Sequence, residues 1–263
     1  MRVLVTGATG FVGRALVPAL TRDNYEVRAA VRGNIESRFL AQTEIVRHGD
    51  LGSPIDWSPL VAGCDAIVHL AGIAHSGPEI SAAVYERVNH QAASDLVRAA
   101  RSAAVGRFVF VSSIRAQSGP TADHVLTETD TAHPTDPYGA SKLAAEKAVL
   151  ESGLPYTILR PTLVYGAGVK GNLAALARLA ASPLPLPFAG LSSRRSLLNR
   201  ASLIDAIILS LRNEAATGQI FIVADRQPIA LNVLVAAIRA GLGRAPGLFS
   251  VPGPLLRTSL NLM

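Results

Sequence analysis

Tyr138 and Lys142 bracket the run Tyr138-Gly139-Ala140-Ser141-Lys142. The composition of residues 138–152, with Pro137 before them and Gly153 after, predicts a helix. Positions four apart share one helical face. A phenol ionises at about pH 10, too high for an efficient base at neutral pH. An ammonium on the same face, together with the positive ring of an oxidised nicotinamide, would stabilise the phenolate. Tyr138 would then serve as proton donor and acceptor for a carbinol–ketone pair. Ser113 follows the β-forming run 107–112 and could hold the substrate oxygen beside Tyr138. A serine there also suits a plain strand-to-loop cap.

A second cluster lies at the N-terminus. Thr6-Gly7-Ala8-Thr9-Gly10-Phe11-Val12-Gly13 joins a β-branched run, Arg2 to Thr6, to a helical stretch beginning at Val12. Gly7 would permit the tight turn, Gly10 the close approach of backbone to a pyrophosphate, and Gly13 the packing of helix on sheet. The helix N-terminus would offer its free N–H groups to the anion. A glycine pattern counts only in a strand–turn–helix context, which this one has. The second strand ends at Val31-Arg32, where an acid would bind the ribose 2′-hydroxyl of NAD. An arginine could instead pair with a 2′-phosphate, so the sequence favours NADP over NAD.

The elements that must carry these residues alternate. Strands are predicted at 2–6, 26–31, 44–47, 66–70, 107–112 and 156–160, with helices at 12–21, 79–104 and 138–152 between them. That order predicts an α/β fold, a Rossmann-type doubly wound parallel sheet, over residues 1–162. After Pro161 the rhythm changes, and Pro183, Pro185 and Pro187 exclude a regular element there. Residues 163–263 are expected to form a small C-terminal substrate lobe, with helices near 172–181, 202–212 and 230–240. The lobe would be interleaved with a last sheet strand at 219–223.

Thr-Gly-Ala-Thr-Gly-Phe-Val-Gly at 6–13, Gly-Asp-Leu at 49–51 and His-Leu-Ala-Gly at 69–72 fall in a recognisable order. Asn89, Val-Ser-Ser at 111–113, Tyr-Gly-Ala-Ser-Lys at 138–142 and Leu-Arg-Pro at 159–161 continue it. On these residues the chain resembles the extended short-chain dehydrogenases, the NAD-dependent epimerase/dehydratase family. The resemblance implies that Ser113, Tyr138 and Lys142 are the catalytic set and that Lys142 also binds the nicotinamide ribose. It implies a cofactor site of Gly7, Thr9, Gly10, Phe11, Val12, Gly13, Arg32, Asp50, Leu51, Leu70, Ala71, Gly72 and Pro161, with Asn89 in support. It also implies a longer C-terminal lobe than the residues after Leu163 supply, and a homodimer formed through the helices 79–104 and 138–152.

The stretches 159–172 and 194–198 resemble the branch acting on UDP-sugars. There Asn172 and Arg195 would hold the diphosphate of the nucleotide-sugar, and His75 and Ser76 would lie near the sugar. Dehydratases of the family carry an Asp-Glu pair after the catalytic hydroxyl residue, whereas Ile114 and Arg115 stand here, which argues against dehydration. The expectation is an oxidoreductase acting at C4 of a UDP-sugar, a 4-ketoreductase in preference to a 4-epimerase. Two other readings stay open: a reductase of a hydrophobic ketone, and a protein that binds NADP without chemistry.

Bulk properties bound these readings. Of 263 residues, 49% are hydrophobic and 17% charged, enough apolar material for a sizeable core. The net charge of +6 is scattered and not interleaved with aromatics, so no nucleic-acid partner is expected. A single cysteine, Cys64, and six histidines without ligand spacing leave no disulfide framework and no expected metal site. No apolar run approaches ~20 residues and no signal-peptide pattern opens the chain, so the expected setting is cytoplasmic, away from membranes.

Overall fold

The structure, a computed structural model, describes residues 1–33, 42–74 and 80–251. In chain order its strands are β1 (Arg2–Thr6), β2 (Glu26–Val31), β3 (Glu44–Arg47), β4 (Ala66–His69), β5 (Arg107–Val111) and β6 (Tyr156–Pro161). Then come β7 (Leu163–Tyr165), β8 (Arg194–Arg195), β9 (Leu197–Asn199), β10 (Gln219–Val223) and β11 (Ile229–Ala230). The α-helices are α1 (Gly13–Arg22), α2 (Ser58–Val61), α3 (Ala82–Tyr85), α4 (Ala92–Ser102) and α5 (Pro137–Leu150). They continue as α6 (Gly171–Ala180), α7 (Arg200–Arg212) and α8 (Leu231–Gly241).

The chain divides into two compact units. One comprises Met1–Thr162 with Arg200–Val223, and the other Leu163–Asn199 with Ala224–Met263. The first holds a seven-stranded parallel sheet in the order β10-β6-β5-β4-β1-β2-β3. From β1 the chain runs outward through β2 and β3, then returns to β4 and runs outward the other way. The order therefore reverses between β1 and β4, which places a crevice beyond their C-terminal ends. Both faces of the sheet are covered, so its central strands are apolar throughout rather than alternating. Val3, Leu4 and Val5, Ile67 and Val68, and Phe108, Val109 and Phe110 have no exposed surface. On one face they pack with Trp57 and Leu60 beside α2, Leu96 and Val97 of α4, and Ala145 and Val149 of α5. Helices α1 and α7 pack together and lie against strands of the sheet.

The strands of the Rossmann sheet fall where the apolar runs predict them. The stretch 79–104 differs. Its composition reads as one helix, but among the described residues the chain forms α3, a π-helical turn at Glu86–Gln91, and α4. A π-turn inserts an extra residue into the helical repeat and re-aims side chains there. Composition carries no sign of it, because the run Glu86–Gln91 contains neither glycine nor proline to mark a break in the helix.

The second unit contains the pairs β7–β9, parallel, and β8–β11, antiparallel. These strands of two or three residues are too short for a periodic signal. Helices α6 and α8 enclose a small core of Ala180, Leu186 and Val235, flanked by Leu176, Phe188 and Leu231. Arg239 is buried, yet its guanidinium donates to the carbonyls of Ala245 (3.0 Å) and Leu184 (3.2 Å). No helix among the described residues is long and apolar enough to cross a membrane.

Candidate active site

The loop between β1 and α1 has the geometry its glycines suggest. Gly7 takes φ +68°, and a Cβ there would lie 2.8 Å from the Ala71 nitrogen. A Cβ on Gly13 would lie 2.3 Å from the Gly7 carbonyl oxygen. Gly10 is exposed, its N–H donating to the Gly7 carbonyl at 2.9 Å. No side chain caps α1 at Val12; the Arg14 N–H donates to the Gly10 carbonyl at 3.0 Å, and the Ala15 and Leu16 N–H groups donate to the Val12 carbonyl. The Thr9 carbonyl accepts from Arg14 Nε at 2.8 Å, and the Arg200 guanidinium covers the Phe11 ring at 4.8 Å. An uncapped helix end behind a backbone turn with no room for side chains fits a dinucleotide pyrophosphate. Gly13→Ala is expected to cost about 1–3 kcal/mol of stability, because backbone must move to admit the methyl group. It should also weaken dinucleotide binding at least about tenfold. Thermal unfolding and fluorescence titration with NADH would measure the two effects.

Arg32 stands just past β2, and its guanidinium lies 3.7 Å from the Asp50 carboxylate, both side chains being largely exposed. The Asp50 carboxylate also accepts from the Gly52 N–H at 2.7 Å, which fixes the turn, while Leu51 packs against the core. Beyond β4, Leu70, Ala71 and Gly72 run along the crevice. The Ala71 N–H donates to Thr6 Oγ1 at 3.2 Å, and that hydroxyl also bonds His69 Nδ1 at 2.7 Å. Burial drives His69 down to about 3, so its ring stays neutral. Asn89, in the π-turn, is buried and aimed at this loop. It accepts from the Ile73 N–H (2.8 Å) and donates to the Ile73 carbonyl (3.0 Å) and Ser141 Oγ (3.1 Å). Since Ser141 Oγ donates to the Tyr138 carbonyl at 2.7 Å, Asn89 ties the loop after β4 to α5. Gly72 is required at the crossing, where a Cβ would lie 2.8 Å from Asn89 Oδ1. Pro161 closes β6, opposite Val223.

Ser113 just past β5 and Tyr138 and Lys142 on α5 come together. All three side chains are buried. Asp136 caps α5 by accepting from the Gly139 N–H at 2.8 Å, and Pro137 opens its first turn. The hydroxyls of Ser113 and Tyr138 share a hydrogen bond, and the Tyr85 and Tyr138 rings lie 5.9 Å apart. Burial pushes the Tyr138 phenol up, while the Ser113 hydrogen bond and the Arg115 charge oppose it. Lys142 Nζ donates to the Val111 carbonyl at 3.0 Å and lies 4.7 Å from the centre of the Phe110 ring. Burial lowers the Lys142 ammonium to about 8, with Glu146 acting in the other direction. It is still largely protonated at neutral pH.

Beneath this set lies a polar network that sequence reasoning missed. Glu146 is fully buried, accepts from Ser112 Oγ at 2.5 Å and pairs with Arg160 at 2.6 Å. Arg160 also donates to Gln117 Oε1 at 3.1 Å. Two signals could have found it. Glu146 continues the spacing Tyr138, Lys142, Glu146 along one helical face. Arg160 interrupts the apolar run of β6, where a charge needs a buried partner.

Other expected residues lie elsewhere. Asn172 is exposed in the first turn of α6, and Arg195 is exposed on β8, both in the second unit. His75 and Ser76 lie outside the described residues.

Residues 3–224 match the Epimerase family, described as the NAD dependent epimerase/dehydratase family. The chain belongs to this family. Among other members, it is 33% identical over 260 residues to a UDP-glucose 4-epimerase of Vibrio cholerae, covering 95% of this chain and 78% of that one. It is 32% identical over 263 residues to a 2'-dehydrokanamycin reductase of Streptomyces kanamyceticus, covering 96% and 70%. Among solved structures it resembles MoeE5 in complex with UDP-glucuronic acid and NAD. That likeness has a TM-score of 0.80 and 27% identity, covering 95% of this chain and 85% of that one. As a member of the epimerase/dehydratase family, the protein is an enzyme of the short-chain dehydrogenase type.

Proposed function

We propose that this enzyme acts at C4 of a UDP-hexose as a 4-epimerase, using NAD. The observation that carries the reading is the 33% identity to the Vibrio cholerae UDP-glucose 4-epimerase across 95% of this chain, together with an intact Ser113–Tyr138–Lys142 set. The sequence alone inclines toward a 4-ketoreductase using NADPH, on the strength of Arg32. In the structure Arg32 faces Asp50, so a carboxylate already occupies the surroundings of that guanidinium. A 2′-phosphate would have to displace or tolerate that acid, which weakens the case for NADP.

In this reading Ser113 holds the C4 oxygen and Tyr138 takes the hydroxyl proton, returning it once the ketone has been reduced on its other face. Lys142 orients the ribose and keeps positive charge near the phenol. NAD, held by the glycine loop and Lys142, would supply reversible hydride acceptance at C4. Asn172 and Arg195 are the proposed diphosphate partners, through amide donors and a planar guanidinium fork. Ile114 and Arg115 after Ser113 offer no carboxylate pair for eliminating water.

The test is to incubate the protein with UDP-glucose and NAD and follow the sugar by proton NMR. The expected result is conversion to the C4 epimer with no net NADH. No epimer, combined with oxidation of NADPH by a UDP-4-keto sugar, would overturn the epimerase in favour of the ketoreductase.

A further inference from the structure

Arg115 is the charged residue nearest in sequence to the candidate Ser113, and the mechanism above does not use it. It sits in the 3₁₀ turn Ile114–Ala116 that follows β5. Its N–H donates to Ser113 Oγ at 3.1 Å, fixing the turn on the serine side chain itself. Its guanidinium pairs with the Asp136 carboxylate, both side chains being mostly buried. Asp136 is the cap of α5, so the same carboxylate holds the start of the Tyr138 helix. The Arg115 carbonyl touches the helix as well, because a Cβ on Gly139 would lie 2.2 Å from that oxygen. Arg115 therefore joins the Ser113 turn to the tyrosine helix through both backbone and side chain. Its Nε is buried and has no hydrogen-bond partner among the described residues.

The groups acting electrostatically on the Tyr138 hydroxyl come from two elements. Ser113 and Arg115 approach from the turn after β5, and Tyr85 from α3. On its own helix, Lys142 is committed to the Val111 carbonyl and the Phe110 ring, and Asp136 to Arg115 and Gly139. In the π-turn packed against α5, Glu86 and His90 bond each other at 2.6 Å. A buried phenol resists ionisation unless a cation compensates. Lys142 loses its own charge through about 8, whereas an arginine cannot be deprotonated in a protein.

We propose that Arg115 is a positioning residue for Tyr138: anchored on Asp136, it clamps the Ser113 turn to the start of the tyrosine helix and keeps a permanent positive charge beside the phenol. The inference rests on the reading of Tyr138 as the proton-transfer residue. Neutral variants should leave a phenol that ionises only at higher pH, and a lysine should restore part of the effect.

Two measurements test this on the full-length protein with saturating NAD. The first is the tyrosinate absorbance titration of wild type, Arg115→Gln and Arg115→Lys, each minus its own Tyr138→Phe counterpart. It needs no turnover. The Tyr138 component is expected to move up by about one pH unit in Arg115→Gln and to return most of the way in Arg115→Lys. The second is the pH profile of kcat with UDP-glucose, whose acid limb should move the same way. A loss of about tenfold at neutral pH should shrink as the pH rises. Arg115→Met keeps the aliphatic stem and serves as a second neutral variant if Arg115→Gln does not fold. An unmoved Tyr138 titration, or a loss uniform across pH, would overturn the proposal. Absence of turnover in the wild type would instead count against UDP-glucose as the substrate, with the absorbance titration still deciding the role of Arg115.

Discussion

Tyr138→Phe is expected to reduce turnover about 10³-fold while leaving the fold and dinucleotide binding intact. The size follows from what the hydroxyl does. Positioned general acid–base groups contribute roughly 10²–10⁴ in rate, and no other described side chain at this place offers a proton at the same atom. Lys142 is engaged with the Val111 carbonyl, and Ser113 is too weak an acid to replace a phenol. The structural cost should be small. Phenylalanine keeps the ring that packs against Tyr85 at 5.9 Å and loses the hydrogen bond shared with Ser113. Losing that bond amounts to about 1 kcal/mol. The glycine loop that would hold the pyrophosphate lies between β1 and α1, not on the helix that carries Tyr138. The experiment pairs kcat with NADH affinity and thermal unfolding. A Tyr138→Phe protein that retains turnover within about threefold would remove the tyrosine from the chemistry and revive the reading of a dinucleotide-binding protein without catalysis.

How much of this was legible in the sequence depends on whether a feature is local. Strands β1, β4 and β5 stand where short apolar runs predict them, because a strand covered on both faces needs a continuous apolar segment. The glycine loop was equally legible: the constraint at Gly7 and Gly13 is steric and written in the residue type. Features that depend on distant partners were not. Glu146 in α5 and Arg160 in β6 each carry a local hint, a helical face and a charge within an apolar strand, but only the fold shows that they are each other's partner. The same holds for Arg115 and Asp136, which are separated by a long loop and meet only when the helix docks on the turn after β5. The π-turn that aims Asn89 inward left no compositional trace. Arg32 is the instructive case, since its residue type suggested a phosphate partner and the fold supplied Asp50.

Glu146→Ala is expected to lower the unfolding free energy of the sheet unit by about 3–5 kcal/mol, the largest stability effect of any single change described here. The carboxylate is fully buried, and Arg160 is only 5% exposed. Removing the acid leaves a guanidinium in the core without its counter-charge and Ser112 Oγ without its acceptor. Breaking a buried pair costs far more than the pair is worth, because the surviving charge must be solvated by what remains. Gln117 offers Arg160 a single carbonyl oxygen at 3.1 Å, too little to replace a carboxylate. The same reasoning predicts non-additivity. Glu146→Met combined with Arg160→Met removes both charges, and should be less destabilised than the sum of the single variants by about 1–3 kcal/mol. The protein has one tryptophan, Trp57, buried in the core beside α2, so its fluorescence in a urea titration reports on the unit that carries the pair. A loss below about 1 kcal/mol for Glu146→Ala, or strict additivity in the double variant, would show that the pair is not a coupled buried charge. The position of the pair explains why its loss should reach the chemistry. Ser112 precedes Ser113 just past the end of β5, and Glu146 lies one turn beyond Lys142 on α5, so the network fixes the strand end and the helix face that together present the catalytic set.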